Sequence, residues 1–162
     1  MFVPRLELVV PGQAVPNKSA QIGRGRAWKE ARCAAYQRLV YVSWHQAGRQ
    51  KVDCSNGIIV SYRRYVRRPK AHYRRDGTVK DNAPDYPITR ASGDVDNLFK
   101  LAIDALNGHA WHDDARVFGH RHNTKVFADD GLGERVEIVA EPAPPLDVWL
   151  DEIGPSLLAK LT

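Results

Sequence analysis

The sequence predicts a single α+β domain, a small mixed or mainly antiparallel sheet flanked by helices. Three observations carry that expectation. The 162 residues are 43% hydrophobic and 27% charged, enough to bury one ordinary core and too few for two. Two stretches repeat apolar residues at helical spacing, and four others carry the short apolar or alternating runs of strands. These segments follow one another in the order β-α-β-loop-α-β-β.

Arg5-Leu6-Glu7-Leu8-Val9-Val10 starts with alternation and reads as the first strand. Residues 11–26 gather Pro, Gly, Asn and Ser with Lys18, Arg24 and Arg26, which predicts a basic loop. A helix is expected from Ala27 to about Ala47, where Trp28, Ala31, Ala35, Leu39 and Val42 recur three or four residues apart and Gly48 is a natural stop. A second strand runs from Gly57 through Tyr62 into Arg63–Arg68 and ends at Pro69. Residues 69–93 are polar and lack a clear period. From Asp96 to Leu106, Leu98, Leu101, Ala102, Ala105 and Leu106 make one apolar helix face. Asn107-Gly108 should end that helix, since one of the pair can turn left-handed. Arg116–Phe127 and Glu134–Ala140 read as strands, with Asp129–Gly133 as a hairpin loop between them. Pro142, Pro144 and Pro145 close the core, and Leu146–Thr162 should form one or two short helices.

Several classes drop out. No apolar run approaches the roughly 18 residues of a membrane span. Met1-Phe2-Val3-Pro4-Arg5 lacks the layout of a secretory signal. Cys33 and Cys54 are too few for a disulfide scaffold and lack paired zinc spacing. A cytoplasmic protein with reduced thiols and no membrane partner is expected.

The net charge is +5, and it is unevenly spread. Residues 1–90 hold 18 Lys/Arg against 6 Asp/Glu, whereas residues 91–162 hold 6 against 13. A basic first half suits a polyanion such as nucleic acid. An acidic second half would repel it unless something offsets those charges, and a divalent cation is one candidate.

The stretch Gly93-Asp94-Val95-Asp96-Asn97-Leu98-Phe99-Lys100 leads into the second helix, and Asp113-Asp114 follow it. Residues i and i+2 of extended backbone project to the same side, so Asp94 and Asp96 can meet one ion. Lys100 lies one helical turn beyond Asp96. Either acid alone reads as a helix N-cap. The whole set of acids and lysine also suits magnesium, which takes a few carboxylate oxygens and several waters.

The run Asp94-x-Asp96-Asn97-Leu98-x-Lys100-x-x-x-Asp104-Ala105-Leu106-Asn107-Gly108, then Asp113-Asp114-Ala115-x-Val117, resembles the RusA family of Holliday junction resolvases, endodeoxyribonucleases common in phages and prophages. The resemblance covers residues 5–141 in element order and is specific over 94–117. It implies a RusA-like nuclease domain over 1–141, with 69–92 as a basic insertion loop and 142–162 as a C-terminal extension. It implies that Asp94, Asp96 and Asp114 are the essential carboxylates and hold Mg2+, with Mn2+ a substitute, and that Lys100 is the essential lysine. Asp113, Asp104 and Asn97 then become candidates for orienting those groups. The family acts as a homodimer that nicks two symmetric strands of a four-way junction in recombination and repair. A phage-encoded member would work in the cytoplasm of its bacterial host.

Arg63, Arg64, Arg67, Arg68, Lys70, Arg74, Arg75 and Lys80 form the densest basic run, interleaved with Tyr62, Tyr65 and Tyr73. That mixture suits phosphate contacts and base stacking. Lys18, Arg24, Arg26 and Lys29 are a second DNA-contact candidate. His120 and His122 should share one strand face, and His112 adjoins the acid pair. The resemblance assigns histidine no essential role, so these read as surface or packing residues. The apolar positions of the first strand and first helix serve either the core or a dimer surface. Two alternatives stay open: a nuclease of broader range on flaps and forks, and a DNA-binding protein that does not cut.

Overall fold

The computed structural model describes residues 2–16, 21–23, 26–28, 30–88 and 93–153. The first half comprises strands β1 (Phe2–Val3), β2 (Leu6–Pro11), β3 (Gln21–Gly23) and β4 (Arg26–Trp28), helix α1 (Ala31–Gln46), and strands β5 (Lys51–Val52) and β6 (Ile58–Val66). Helix α2 (Val95–Leu106), strands β7 (Val117–Phe127) and β8 (Arg135–Pro142), and helix α3 (Leu146–Ile153) complete it.

Four strands form a mixed sheet in the spatial order β2-β8-β6-β7. β8 runs antiparallel to both its neighbours, and β6 runs parallel to β7. A parallel pair cannot be closed by a tight turn, so the chain between β6 and β7 crosses over through α2. β2 alternates as its sequence requires, with Leu6, Leu8 and Val10 buried and Glu7 and Val9 exposed. Ile58, Ile59 and Val60 of the internal strand β6 are all buried. On one face of this sheet α1 packs against β2 and α2, and α2 packs against β7. The fold is α+β, as expected.

α2 buries Leu98, Leu101, Ala102, Ala105 and Leu106, the face its spacing predicts, and adds Ile103. Full burial of each leucine stabilises the fold by about 1.5–3 kcal/mol relative to exposure. Gly108 takes the left-handed turn, at φ +73°.

Other expectations need correction. α1 begins at Ala31, four residues later than its spacing suggested, because Arg26–Trp28 instead pairs with Gln21–Gly23 in a small antiparallel ribbon. Its buried face is Cys33, Tyr36, Val40 and Trp44, whereas Ala31, Ala35 and Val42 are exposed. The large rings of Tyr36 and Trp44 gain more from burial than the alanines, and they set the rotation of the helix. Residues 129–133 do not close a hairpin, because β6 lies between β7 and β8. The segment instead carries the chain past the end of β6.

The polar segment after Pro69 has structure of its own. A 3-10 turn spans Lys70–His72, and a bridge between Tyr73 and Val79 closes a small loop. α3 accounts for the first tail helix, while the tail beyond residue 153 and the basic candidates Lys18, Arg24 and Lys29 lie outside the described residues. Both cysteines are free thiols. No helix among the described residues is long and apolar enough to cross a membrane.

Candidate active site

The entry to α2 is built by its sequence. Gly93 sits at φ +77°, and a β-carbon there would lie 3.2 Å from both Arg64 Nη1 and Leu98 Cδ1. Glycine therefore serves both the turn and the close approach. Asp94 is the N-cap: its Oδ1 accepts from the Asp96 amide at 3.4 Å, and its Oδ2 accepts from Asn97 Nδ2 at 3.4 Å. Both bonds are longer than the usual N–H···O range, so they hold the carboxylate weakly. Asp94, Asp96 and Asn97 are all exposed or half-exposed.

Lys125 of β7 reaches across and donates to the Gly93 carbonyl at 2.7 Å. Its ammonium is held below the usual lysine range by burial and then by Arg64, with Asp94 acting in the opposite direction. A cation beside the first acid was invisible in the sequence, where Lys125 is 31 residues from Asp94. The signal available was only an isolated lysine in a strand otherwise rich in aromatics and histidines.

Further along α2, Phe99, Lys100, Ile103 and Asp104 line a cleft of about 270 Å3 with Asp114, Val117 and His120. Lys100 Nζ lies 3.4 Å from Asp104 Oδ1, an exposed one-turn pair. The adjacent acids Asp113 and Asp114 take different positions. Asp113 caps the 3-10 turn Asp114–Arg116, accepting from the Ala115 amide at 2.9 Å. That amide, then Asp114, His112 and Arg116, holds its carboxyl below the usual range. Asp114 lines the cleft with Lys100.

The structure thus groups Asp94 with Asn97, and Lys100 with Asp104 and Asp114. Among the described residues it does not bring three His, Cys, Asp or Glu side chains close enough to hold a metal ion. The chemistry of the expected donors suits magnesium nonetheless, since all are carboxylate oxygens within reach of solvent.

The basic run divides. Arg64 is only 3% exposed and faces Tyr62 and Tyr36 in the core, where burial lowers its pKa. Arg68 is also committed: it pairs with Asp129 at 2.7 Å, donates to the Pro84 carbonyl at 3.0 Å, and stacks 4.0 Å from the centre of the Phe127 ring. Neither belongs to an open basic surface. Arg74 pairs with Asp81, and Lys80 donates to the Ala71 carbonyl. Among the described residues, Arg67, Lys70 and Arg75 are exposed with no side-chain partner, and Arg63 is exposed with only a 3.5 Å contact to the Tyr65 hydroxyl.

His120 and His122 do not share a face. A bulge sets Arg121 and His122 opposite Ser61 alone, between the pairs Val60–His120 and Tyr62–Asn123. His120 packs edge-on to Phe99 at 4.3 Å between ring centres, inside the Lys100 cleft. His122 lines a separate cleft on the opposite sheet face, with Arg5, Glu7, Arg63 and Glu141.

No curated protein matches the chain. A family model described as Endodeoxyribonuclease RusA matches residues 10–139.

Proposed function

The chain belongs to the RusA endodeoxyribonuclease family, and on that premise we propose that it resolves four-way DNA junctions by paired, magnesium-dependent phosphodiester hydrolysis in recombination and repair. The observation that carries this reading is the cleft that Lys100 and Asp114 both line beside α2, the helix that Asp94 caps and Asp96 opens.

Asp94, Asp96 and Asp114 would hold the ion, with Mn2+ able to replace Mg2+. Once bound, such an ion lowers the pKa of a water and polarises a phosphoryl oxygen. The long, weak bonds at Asp94 leave its carboxylate easy to redirect. Asn97 keeps only a loose contact with that carboxylate, and Asp113 fixes the turn that presents Asp114. Lys100 places positive charge where a phosphate would enter, stabilising the charge that develops on its oxygens. Asp104 keeps the ammonium of Lys100 on that side of the helix.

A homodimer supports paired cuts, since a two-fold assembly offers two equal sites to the two equivalent strands of a junction. Leu6, Leu8 and Val10 belong to the core, so the exposed apolar candidates for that interface on β2 and α1 are Val9, Tyr41 and Val42. The broader flap-and-fork activity draws its support from the ordered, basic segment after Pro69.

The test uses labelled four-way junction, fork, flap and linear duplex, with and without Mg2+, beside Asp96→Asn and Asp114→Asn. Symmetric paired nicks in the junction alone are expected, and each variant should lose at least about 100-fold in cleavage rate while still binding. Equal cutting of flaps and forks would favour the broader nuclease. Binding without cutting by the wild type would leave a pure DNA-binding protein. Cleavage at the wild-type rate by either variant would overturn the acid assignment.

A further inference from the structure

A second feature lies directly against the entry to α2. A shallow groove of about 490 Å3 follows the sheet's edge strand β7, lined by Arg63, Tyr65, Tyr86, Val95, Asn123 and Lys125 among others. Val95 stands between the two acids Asp94 and Asp96 in sequence, so the groove reaches the segment that carries them. Tyr86 is 63% exposed, unusual for a large ring with no core to serve. The Asn123 Oδ1 atom is buried without a hydrogen-bond partner among the described residues. Buried polar atoms are nearly always satisfied, so an orphaned acceptor on a groove wall points to a missing donor.

We propose that this groove is a base subsite: it takes one unpaired nucleobase of the DNA strand adjoining the scissile phosphate. The inference rests on the branched-DNA reading above. Each lining group matches a part of a nucleotide. The Tyr86 ring offers a stacking face, which any base can use. Asn123 lines the groove, and once its side chain turns the buried Oδ1 outward its amide offers a base edge both a donor and an acceptor, which sets base preference. Arg63, exposed on the groove, supplies positive charge for a flanking phosphate, and Lys125, held on the Gly93 carbonyl, adds positive charge to the wall. A branch point supplies what a continuous duplex does not, a base at the crossover that can leave its stack at low cost. The groove therefore couples recognition of branching to the cleavage site through the backbone of residues 93–96. Tyr86 lies in the segment 69–92, so this reading gives that segment a role in substrate choice.

The test uses a four-way junction carrying 2-aminopurine at nucleotides flanking the crossover, with divalent ions removed so that no cutting occurs. Wild-type protein should change the probe's fluorescence on binding. Tyr86→Ala should abolish that change and weaken binding by roughly ten-fold, within the range measured for removing a base–aromatic stack. Tyr86→Phe should retain both, and thermal melting should show all variants folded. Asn123→Leu should flatten any preference among the four bases at the responsive nucleotide. Wild-type fluorescence and affinity in Tyr86→Ala overturn the subsite even if the enzyme cuts junctions normally. Weaker binding with an unchanged probe response also overturns it, reducing Tyr86 to a rim contact. If the wild type neither binds nor cuts branched DNA, the endonuclease reading fails first and takes the subsite with it.

Discussion

Arg135 and its acids show how a single side chain sets local chemistry in this protein. The guanidinium contacts Asp130 at 2.6 Å and Glu137 at 2.9 Å, and lies 3.4 Å from the centre of the Tyr65 ring. Asp130 is held below the usual carboxylate range, first by Arg135 and then by the Leu132 amide. A depressed folded-state pKa means that the pairing stabilises the protein fully above the unfolded carboxylate pKa, about 3.9. That contribution is lost as pH falls through the folded value. Asp130→Asn should therefore melt below the wild type at pH 7, and the two should converge as pH drops towards 2. Thermal melts from pH 7 to 2 check this; a gap that persists at the acid end would assign the effect to packing instead. The same scale separates Asp113 from Asp114, since the first is consumed in capping a turn and the second lines the cleft of Lys100.

Among the elements, the segment after Pro69 gained most from tertiary context. Its order comes from a few interactions with the β7–β8 connection. Arg68 and the Tyr73 hydroxyl both bond Asp129, and His72 packs edge-on to Phe127. Arg68→Ala removes an ion pair, a bond to the Pro84 carbonyl and a stacked ring together. It should cost about 1–3 kcal/mol in urea unfolding. Amide exchange should quicken over residues 69–88 while the α2 amides stay protected. Uniform quickening would mean that Arg68 supports the whole sheet rather than this segment. α2 needed no such help. Its apolar face was complete in the sequence, and Asp94 caps it from within the same motif.

For the whole molecule, the uneven charge resolves in a way that composition alone did not reveal. Two arginines of the basic first half pair with acids after residue 90, Arg68 with Asp129 and Arg5 with Glu141, while Arg135 and Arg121 pair with Asp130, Glu137 and Glu141 inside the acidic half. A metal ion is not needed to balance these acids, and Asp94, Asp96 and Asp114 remain as solvent-facing carboxylates. On the basic side, Arg67, Lys70 and Arg75 have charge to offer DNA. Replacing all three with alanine should weaken junction binding and lower the salt slope by about 2–3, near 0.9 for each phosphate left unneutralised. Anisotropy titrations between roughly 50 and 200 mM salt read this out. An unchanged slope would remove this surface from the DNA path.

The sequence by itself determined the order of the main elements, the inward face of α2 and the motif from Asp94 to Asp114. Each of these is local: a period of 3.6 or 2, a cap beside its helix, or acids a few residues apart. Neighbours in space were decided only by the tertiary structure. β8 inserted itself between β2 and β6, which turned an expected hairpin into a connection past β6. The bulge opposite Ser61 sent His120 and His122 to opposite faces. Competition for one core rotated α1 towards Tyr36 and Trp44 and took Arg64 out of solvent. Lys125 met Gly93 only because β7 lies beside α2. Strand partners and buried charges depend on residues far apart along the chain, and no window of sequence carries that information.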